Sequence, residues 1–245
     1  MKLPAIPAAL ALALSLPMVA QAGATATAHI AGFRYEVIDL DLNDGIAAAL
    51  TLDDTGLILQ AGYYPEAGGL PNPVDYRFSD GAVAVNVPVG AAAGTLANGA
   101  ADLSATFTGT AADGQLVSHA GFGNAFTLTA NTQVVLYADA GVTGNYDGDR
   151  YASSHALLFA NYFANPNDTE ETIVEDYLLS HLGNSDAREL SITFSTGATG
   201  LEGQLGWSAG AYATVSQVPE PSQYALLVVG LAGIGWRLRR AALRR

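Results

Sequence analysis

Five consecutive residues, Gly206-Trp207-Ser208-Ala209-Gly210, have the Gly-x-Ser-x-Gly spacing that presents a nucleophilic serine at a sharp strand-to-helix bend. That chemistry needs a helix after the serine, then an acid and a histidine later in the chain. All four histidines, His29, His119, His155 and His181, precede Ser208, and Ala211 to Ser216 reads as strand. The two glycines fit a bend or close packing beside Trp207, so no hydrolase and no catalytic residue is expected. The histidines are also too widely spaced for a His-x-x-x-His metal motif, and each is expected as a surface or hydrogen-bonded sheet residue.

Oxygen ligands are better patterned. Asp39-Leu-Asp41-Leu-Asn43-Asp44-Gly45 places oxygens at alternate positions, which suits a hard cation such as calcium. The segment departs from the helical calcium loop, because Asp44 stands where glycine is required and Leu50 where a glutamate closes the site. Asn145-Tyr-Asp147-Gly-Asp149 is a shorter version of the same idea. Both stretches equally read as solvated turns, since Asp, Asn and Gly bond their own backbone and tolerate positive φ. Calcium is the one ion these residues suggest, and no other cofactor is expected.

Two aromatic clusters, Tyr63, Tyr64, Tyr76, Phe78 and Tyr146, Tyr151, Tyr162, Phe163, could stack on a sugar face, although alternating rings in strands more often form cross-strand or core pairs. Acids are too numerous for any two to be singled out as a glycosidase pair, whose geometry is three-dimensional.

The elements that must position these groups are short runs rich in β-branched and aromatic residues, punctuated by Gly, Ala, Thr, Ser and Asn. Alternation is clear at Phe126 and Leu128 against Thr127 and Thr129, and at Ile192 and Phe194 against Ser191 and Thr193. It implies one buried face and one wet face. About a dozen strands in residues 23–217 predict an all-β domain, an antiparallel β-sandwich. Residues 170–182 fit a short helix or an irregular strand.

Residues 23–217 hold 22 acidic residues against only Arg34, Arg77, Arg150 and Arg188, so this body carries a net charge near −18. Such a surface repels nucleic acid and anionic lipid. With no cysteine in the chain, its stability must come from burial and sheet hydrogen bonding.

Both ends read as export signals. Lys2, an apolar run from Ala5 to Ala20 and the small-x-small site Ala20-Gln-Ala22 before Gly23 predict a cleaved signal peptide over residues 1–22. At the other end stand Val218-Pro219-Glu220-Pro221, an apolar run from Tyr224 to Trp236 holding Gly230 and Gly233, and then Arg237, Arg239, Arg240, Arg244 and Arg245. The run is shorter than the roughly 20 residues of a full span, and terminal arginines can snorkel to the headgroups. Within a tail of residues 218–245, a single short transmembrane helix is predicted for residues 224–236, with the basic end, residues 237–245, in the cytoplasm.

This three-part order resembles the PEP-CTERM sorting tail of Gram-negative bacteria that build an exopolysaccharide matrix. The resemblance rests on Val218 to Pro221, the Gly230-Leu-Ala-Gly233-Ile-Gly235 core and the arginines, about a tenth of the chain. It implies a non-enzymatic exported protein that reaches the membrane through the secretion machinery and is first anchored in the inner membrane with a periplasmic body. An exosortase-like protease would then recognise the Pro-Glu-Pro motif and pass the body to the cell surface or the extracellular matrix. The tail's other label, an ice-binding protein C-terminal domain, implies nothing about ice. Phe33 to Gly45, Phe126 to Thr132 and Gly206 to Tyr212 are similar to bodies that accompany such tails, which offer no catalytic residues. An alternative reading is a carbohydrate-binding or carbohydrate-active module in contact with extracellular polysaccharide.

Overall fold

Alternation becomes burial in the folded chain: Phe126 and Leu128, Ile192 and Phe194 point into the core, while Thr127, Ser191 and Thr193 face water. The computed structural model describes residues 23–53, 56–65, 73–108, 114–147, 150–164, 170–181 and 183–215. The predicted signal peptide, including Ala20 and Ala22, and the sorting tail from Val218 onward lie outside them, as does Asp149.

Every regular element among the described residues is a strand. In chain order these are β1 (Ala24–Asp39), β2 (Leu50–Leu52), β3 (Gly56–Pro65), β4 (Val74–Arg77), β5 (Gly81–Val87), β6 (Gly90–Ala97) and β7 (Ala100–Phe107). Then come β8 (Gly114–Leu128), β9 (Thr132–Gly144), β10 (Tyr146–Asp147), β11 (Arg150–Tyr162), β12 (Thr172–Ser180), β13 (Ser185–Ser195) and β14 (Leu201–Val215). All pairings are antiparallel. A six-stranded sheet runs β13-β9-β1-β7-β6-β5 and an eight-stranded sheet runs β10-β11-β14-β8-β3-β4, with β12 also on β11 and β2 on β8. The expected all-β sandwich is the observed architecture.

Residues 170–182, open between helix and strand in the sequence, contain β12, whose exposed Ile173, Tyr177 and Leu179 alternate with residues facing the other way. The Ala-rich stretch 90–97 gives no strand signal yet forms β6, whose alternate positions Ala92, Gly94 and Leu96 face inward. Glycines 121 and 123 break the apolar pattern inside what is one continuous strand, β8.

The core is unusually rich in alanine: Ala26, Ala105, Ala138, Ala156, Ala209 and Ala211 are fully buried. Such short side chains let the sheets approach, and Trp207, Phe107 and Phe126 fill the remaining volume. The approach is close enough for inward serines to bond across it. Ser118 Oγ donates to the Ala93 carbonyl at 2.8 Å and Ser154 Oγ to the Thr143 carbonyl at 2.7 Å, so both buried hydroxyls are satisfied.

Charged clamps join the two sheets at their margins. On one side Asp75 of β4 accepts the Ala84 N–H of β5 at 3.1 Å while Arg77 Nε donates to the Ala82 carbonyl at 2.7 Å. On the other side Asp176 of β12 accepts from Arg188 Nη1 at 2.7 Å, Nη2 at 2.5 Å and the Ser191 N–H of β13 at 2.9 Å. Each carboxylate caps an edge N–H that would otherwise invite another strand.

Candidate functional site

Register places the chemically interesting residues on the outer face of the eight-stranded sheet. Because Leu59, Leu116, Leu158 and Ala209 are buried inward, their neighbours in sequence point out. One row across the strands reads Tyr76, Gln60, His119, Gly210, His155 and Leu179, and the next reads Ile58, Gly121, Ser208, Leu157 and Tyr177. Histidines far apart in sequence thus meet on neighbouring rows with the serine of the Gly-x-Ser-x-Gly segment.

His119 Nε2 lies 3.1 Å from Ser208 Oγ. The His119 and His155 rings are 6.5 Å apart between centroids, and His155 stacks on Tyr212 at 5.6 Å and 19°. Gln60 Nε2 donates to the Tyr64 hydroxyl at 2.5 Å. Desolvation in this half-buried layer lowers the pKa of His119, and desolvation together with the neighbouring His119 lowers that of His155. Burial, then the nearby Tyr64, raises the pKa of the Tyr212 hydroxyl. The cluster is therefore neutral around pH 7.

Glycines form its floor. A Cβ at Gly210 would sit 2.6 Å from His155 Cε1 and 2.7 Å from the Tyr212 hydroxyl, so only glycine lets these rings lie flat on the sheet. On a body with a net charge near −18 this face has no charged side chain between Tyr76 and Leu179 along either row. Charge returns only beyond them, at Glu175 and Glu202.

The surroundings of the Ser208–His119 pair differ from the Gly-x-Ser-x-Gly template. Ser208 sits in the middle of a strand, not at a strand-to-helix turn, and among the described residues no carboxylate orients the imidazole through its other nitrogen. Sequence order excluded a later histidine and could not anticipate the cross-strand encounter.

The calcium candidates are otherwise engaged. Asp39 accepts the Asp41 N–H, Asp41 the Asn43 N–H, and Asp44 the Ile46 N–H at 2.7 Å, each two residues ahead. Asp44 also accepts from Asn131 Nδ2 at 2.7 Å, and this bond above all lowers its pKa. These are Asx turns. Asn43 offers no bond of its own through its side chain among those resolved, and Asp147 lies in the short strand β10. Among the described residues no group of three or more His, Asp or Glu is placed to hold a metal.

Of the aromatic clusters, Tyr76 and Phe78 are 58% and 70% exposed and meet edge-on, 5.6 Å apart. Phe163 is also exposed, whereas Tyr63 and Tyr162 pack against the core. Gly23, the predicted first residue after signal cleavage, abuts β1 beside Phe107.

A solved carbohydrate-binding module of the β-sandwich superfamily aligns with 81% of this chain and 99% of its own at 10% identity, with a TM-score of 0.14. The N-terminal CBM22-1-CBM22-2 tandem domain of Xyn10C from Paenibacillus barcinonensis aligns with 80% and 78% at 8% identity, with a TM-score of 0.15. Scores this low carry no argument about fold or ligand. No curated protein matches the chain. A family model does, over residues 217–240, and its description, the PEP-CTERM protein-sorting motif, agrees with the order of motif, apolar run and arginines in that segment. The chain therefore carries a PEP-CTERM protein-sorting motif at residues 217–240.

Proposed function

We propose that this is a non-enzymatic exported protein of the cell surface or extracellular matrix, delivered by an exosortase-like protease acting on its C-terminal tail. The observation that carries the reading is the sorting motif at residues 217–240. The signal-like first 22 residues, the absence of cysteine and the acidic body support the same route. A body of packed sheets with a serine and histidine on a flat face, and no acid orienting them, supports a binding or structural role over catalysis.

The test is expression of the full chain in a host with the exosortase and in the same host lacking it, followed by intact-mass measurement and fractionation. Loss of everything after about Glu220 only when the protease is present supports the reading. An intact C-terminus in the membrane fraction of both hosts overturns it.

A second reading, binding of extracellular polysaccharide by the outer face of the eight-stranded sheet, is favoured by one observation: the two adjacent rows that hold His119, His155 and Ser208 are uncharged on a strongly acidic body. Neutral imidazole, amide and hydroxyl groups both donate and accept, as sugar hydroxyls do. The glycine floor lets the His155 and Tyr212 rings lie flat as a planar platform, and Tyr76 offers an exposed ring at the rim. Acidic polymers would be repelled by the surrounding carboxylates. In affinity electrophoresis, a soluble neutral glucan should retard the protein and polygalacturonate should not. Unchanged retardation in the Tyr76→Ala and His155→Ala variants would overturn the assignment to this face.

A further inference from the structure

The two clamped margins leave a third edge open. β1 pairs with β7 only through Ile30, opposite Ala101, and then bulges at residues 31–34, with Gly32 at φ 63°. Beyond the bulge Arg34 to Asp39 pair with β9 alone. The Leu40 N–H donates to the Asn131 carbonyl at 2.8 Å. The antiparallel alternation then turns the N–H and C=O groups of residues 38, 36 and 34 toward β9 and those of Tyr35 and Val37 away from it. Among the described residues no strand or side chain caps those outward groups, unlike the edges held by Asp75 and Asp176.

The side chains flanking this edge have a consistent character. Tyr35, Ile38, Leu40, Leu42 and Ile46 are all exposed, Leu42 to 84%. Glu36, Asp39, Asp41 and Asp44 are interspersed with them. The only cation here, Arg34, is already engaged by Glu189 and lies over the Tyr137 ring at 5.0 Å. A second copy of the same edge would set these carboxylates against one another.

We propose that the edge of β1 from Arg34 to Asp39 accepts an extended segment of a partner protein, one that alternates basic and apolar residues, by strand addition. Backbone ladder bonds to Tyr35 and Val37 would supply affinity, and the acidic and apolar side chains would supply selection. The surface is separate from the outer face of the eight-stranded sheet, so the proposal stands apart from the polysaccharide reading.

The test titrates the full-length chain in detergent with an alternating Lys-Val decapeptide, with the same peptide N-methylated on alternate backbone amides, and with an alternating Glu-Val decapeptide. Amide hydrogen exchange is followed at Tyr35 and Val37. The Lys-Val peptide is expected to bind and to slow exchange at both amides. N-methylation should weaken binding about tenfold or more, as loss of one or two ladder bonds implies. Charge reversal by Glu36→Lys with Asp39→Lys, a surface change, should transfer preference to the Glu-Val peptide. Equal binding of the N-methylated peptide, or binding without protection at Tyr35 and Val37, would reduce the effect to adhesion between opposite charges and overturn the proposal. Absence of binding would do the same.

Discussion

Ser208 Oγ lies 3.1 Å from His119 Nε2 across adjacent strands, two residues separated by 89 positions in sequence and joined by the register of β14 against β8. The pair belongs to a neutral, glycine-floored surface, so its hydroxyl is expected to behave as an ordinary serine. A fluorophosphonate probe should leave the native protein unlabelled at concentrations that label a serine hydrolase completely. Labelling that disappears in Ser208→Ala would identify an activated nucleophile and remove the non-enzymatic reading.

Acid should find the histidine cluster first. Both imidazoles are held neutral below their ordinary value of 6.5, so in mildly acidic solution the unfolded chain binds protons that the folded chain refuses. Stability then rises with pH across the interval below about 6.5 and levels off above it. Urea midpoints at about pH 5 and about pH 7.5 should differ in the native protein, and the difference should shrink in His119→Gln/His155→Gln. Carboxylates contribute to acid sensitivity only further down, near pH 4. An unchanged difference in the double variant would show that the imidazoles are not responsible.

Glycines on this face should separate stability from surface shape. A Cβ at Gly206 would run into the Phe122 carbonyl of the next strand, which cannot retreat without breaking the ladder. Gly206→Ala should destabilise by about 1–3 kcal/mol in urea unfolding. At Gly210 the obstacles are the movable rings of His155 and Tyr212. Gly210→Ala should therefore lose less stability while weakening retardation by neutral glucan, and equal losses for the two variants would contradict this division.

The clamp between β12 and β13 rests on a single carboxylate with three donors. Replacing Asp176 by alanine removes the acceptor of the Ser191 N–H and leaves Arg188 bonded only to the Tyr177 and Glu189 carbonyls, at an expected cost of about 1–3 kcal/mol. Its pKa is lowered chiefly by the hydrogen bonds from Arg188, so its contribution is complete above the ordinary carboxylate value of 3.8 and fades as pH falls through the depressed one. A variant that melts with the native protein at neutral pH would show the margin to be held by packing alone.

Calcium should do little. Asp39, Asp41 and Asp44 each give one oxygen to a backbone N–H, and among the described residues no group of three or more His, Asp or Glu is gathered to hold an ion. Millimolar calcium is expected to leave the melting temperature where chelator leaves it. A rise of several degrees with calcium, lost in Asp41→Ala, would restore the segment as a cation site.

Sequence patterning alone made the sandwich legible wherever large apolar residues alternate with Thr or Ser, as at residues 126–129 and 191–194. It was silent where the buried positions are mostly small, Ala92 and Gly94 in β6 and Ala24 and Ala26 at the start of β1. The Asp39–Asp44 stretch shows how one spacing serves two readings: the oxygens set at alternate positions also accept the amides two residues ahead. The histidine cluster was illegible because no local rule relates residues 119, 155 and 208. They meet only after β8, β14 and β11 have found one register, and a slip of one residue would turn every member to the opposite side.

The two ends of the described body lie together. Ala26 stands opposite Gly144 and Arg150 opposite Val215, and only the residues between Gly144 and Arg150 separate those pairs. β14 begins near the tip where Leu40 meets Asn131 and runs its 15 residues, about 45 Å, down to that end at Val215. If the segment after Val215 is held at a membrane, the sandwich stands on it like a post. Its footing then carries both chain ends, its broad side displays the histidines and tyrosines, and the open edge of β1 is lifted farthest into whatever surrounds the cell.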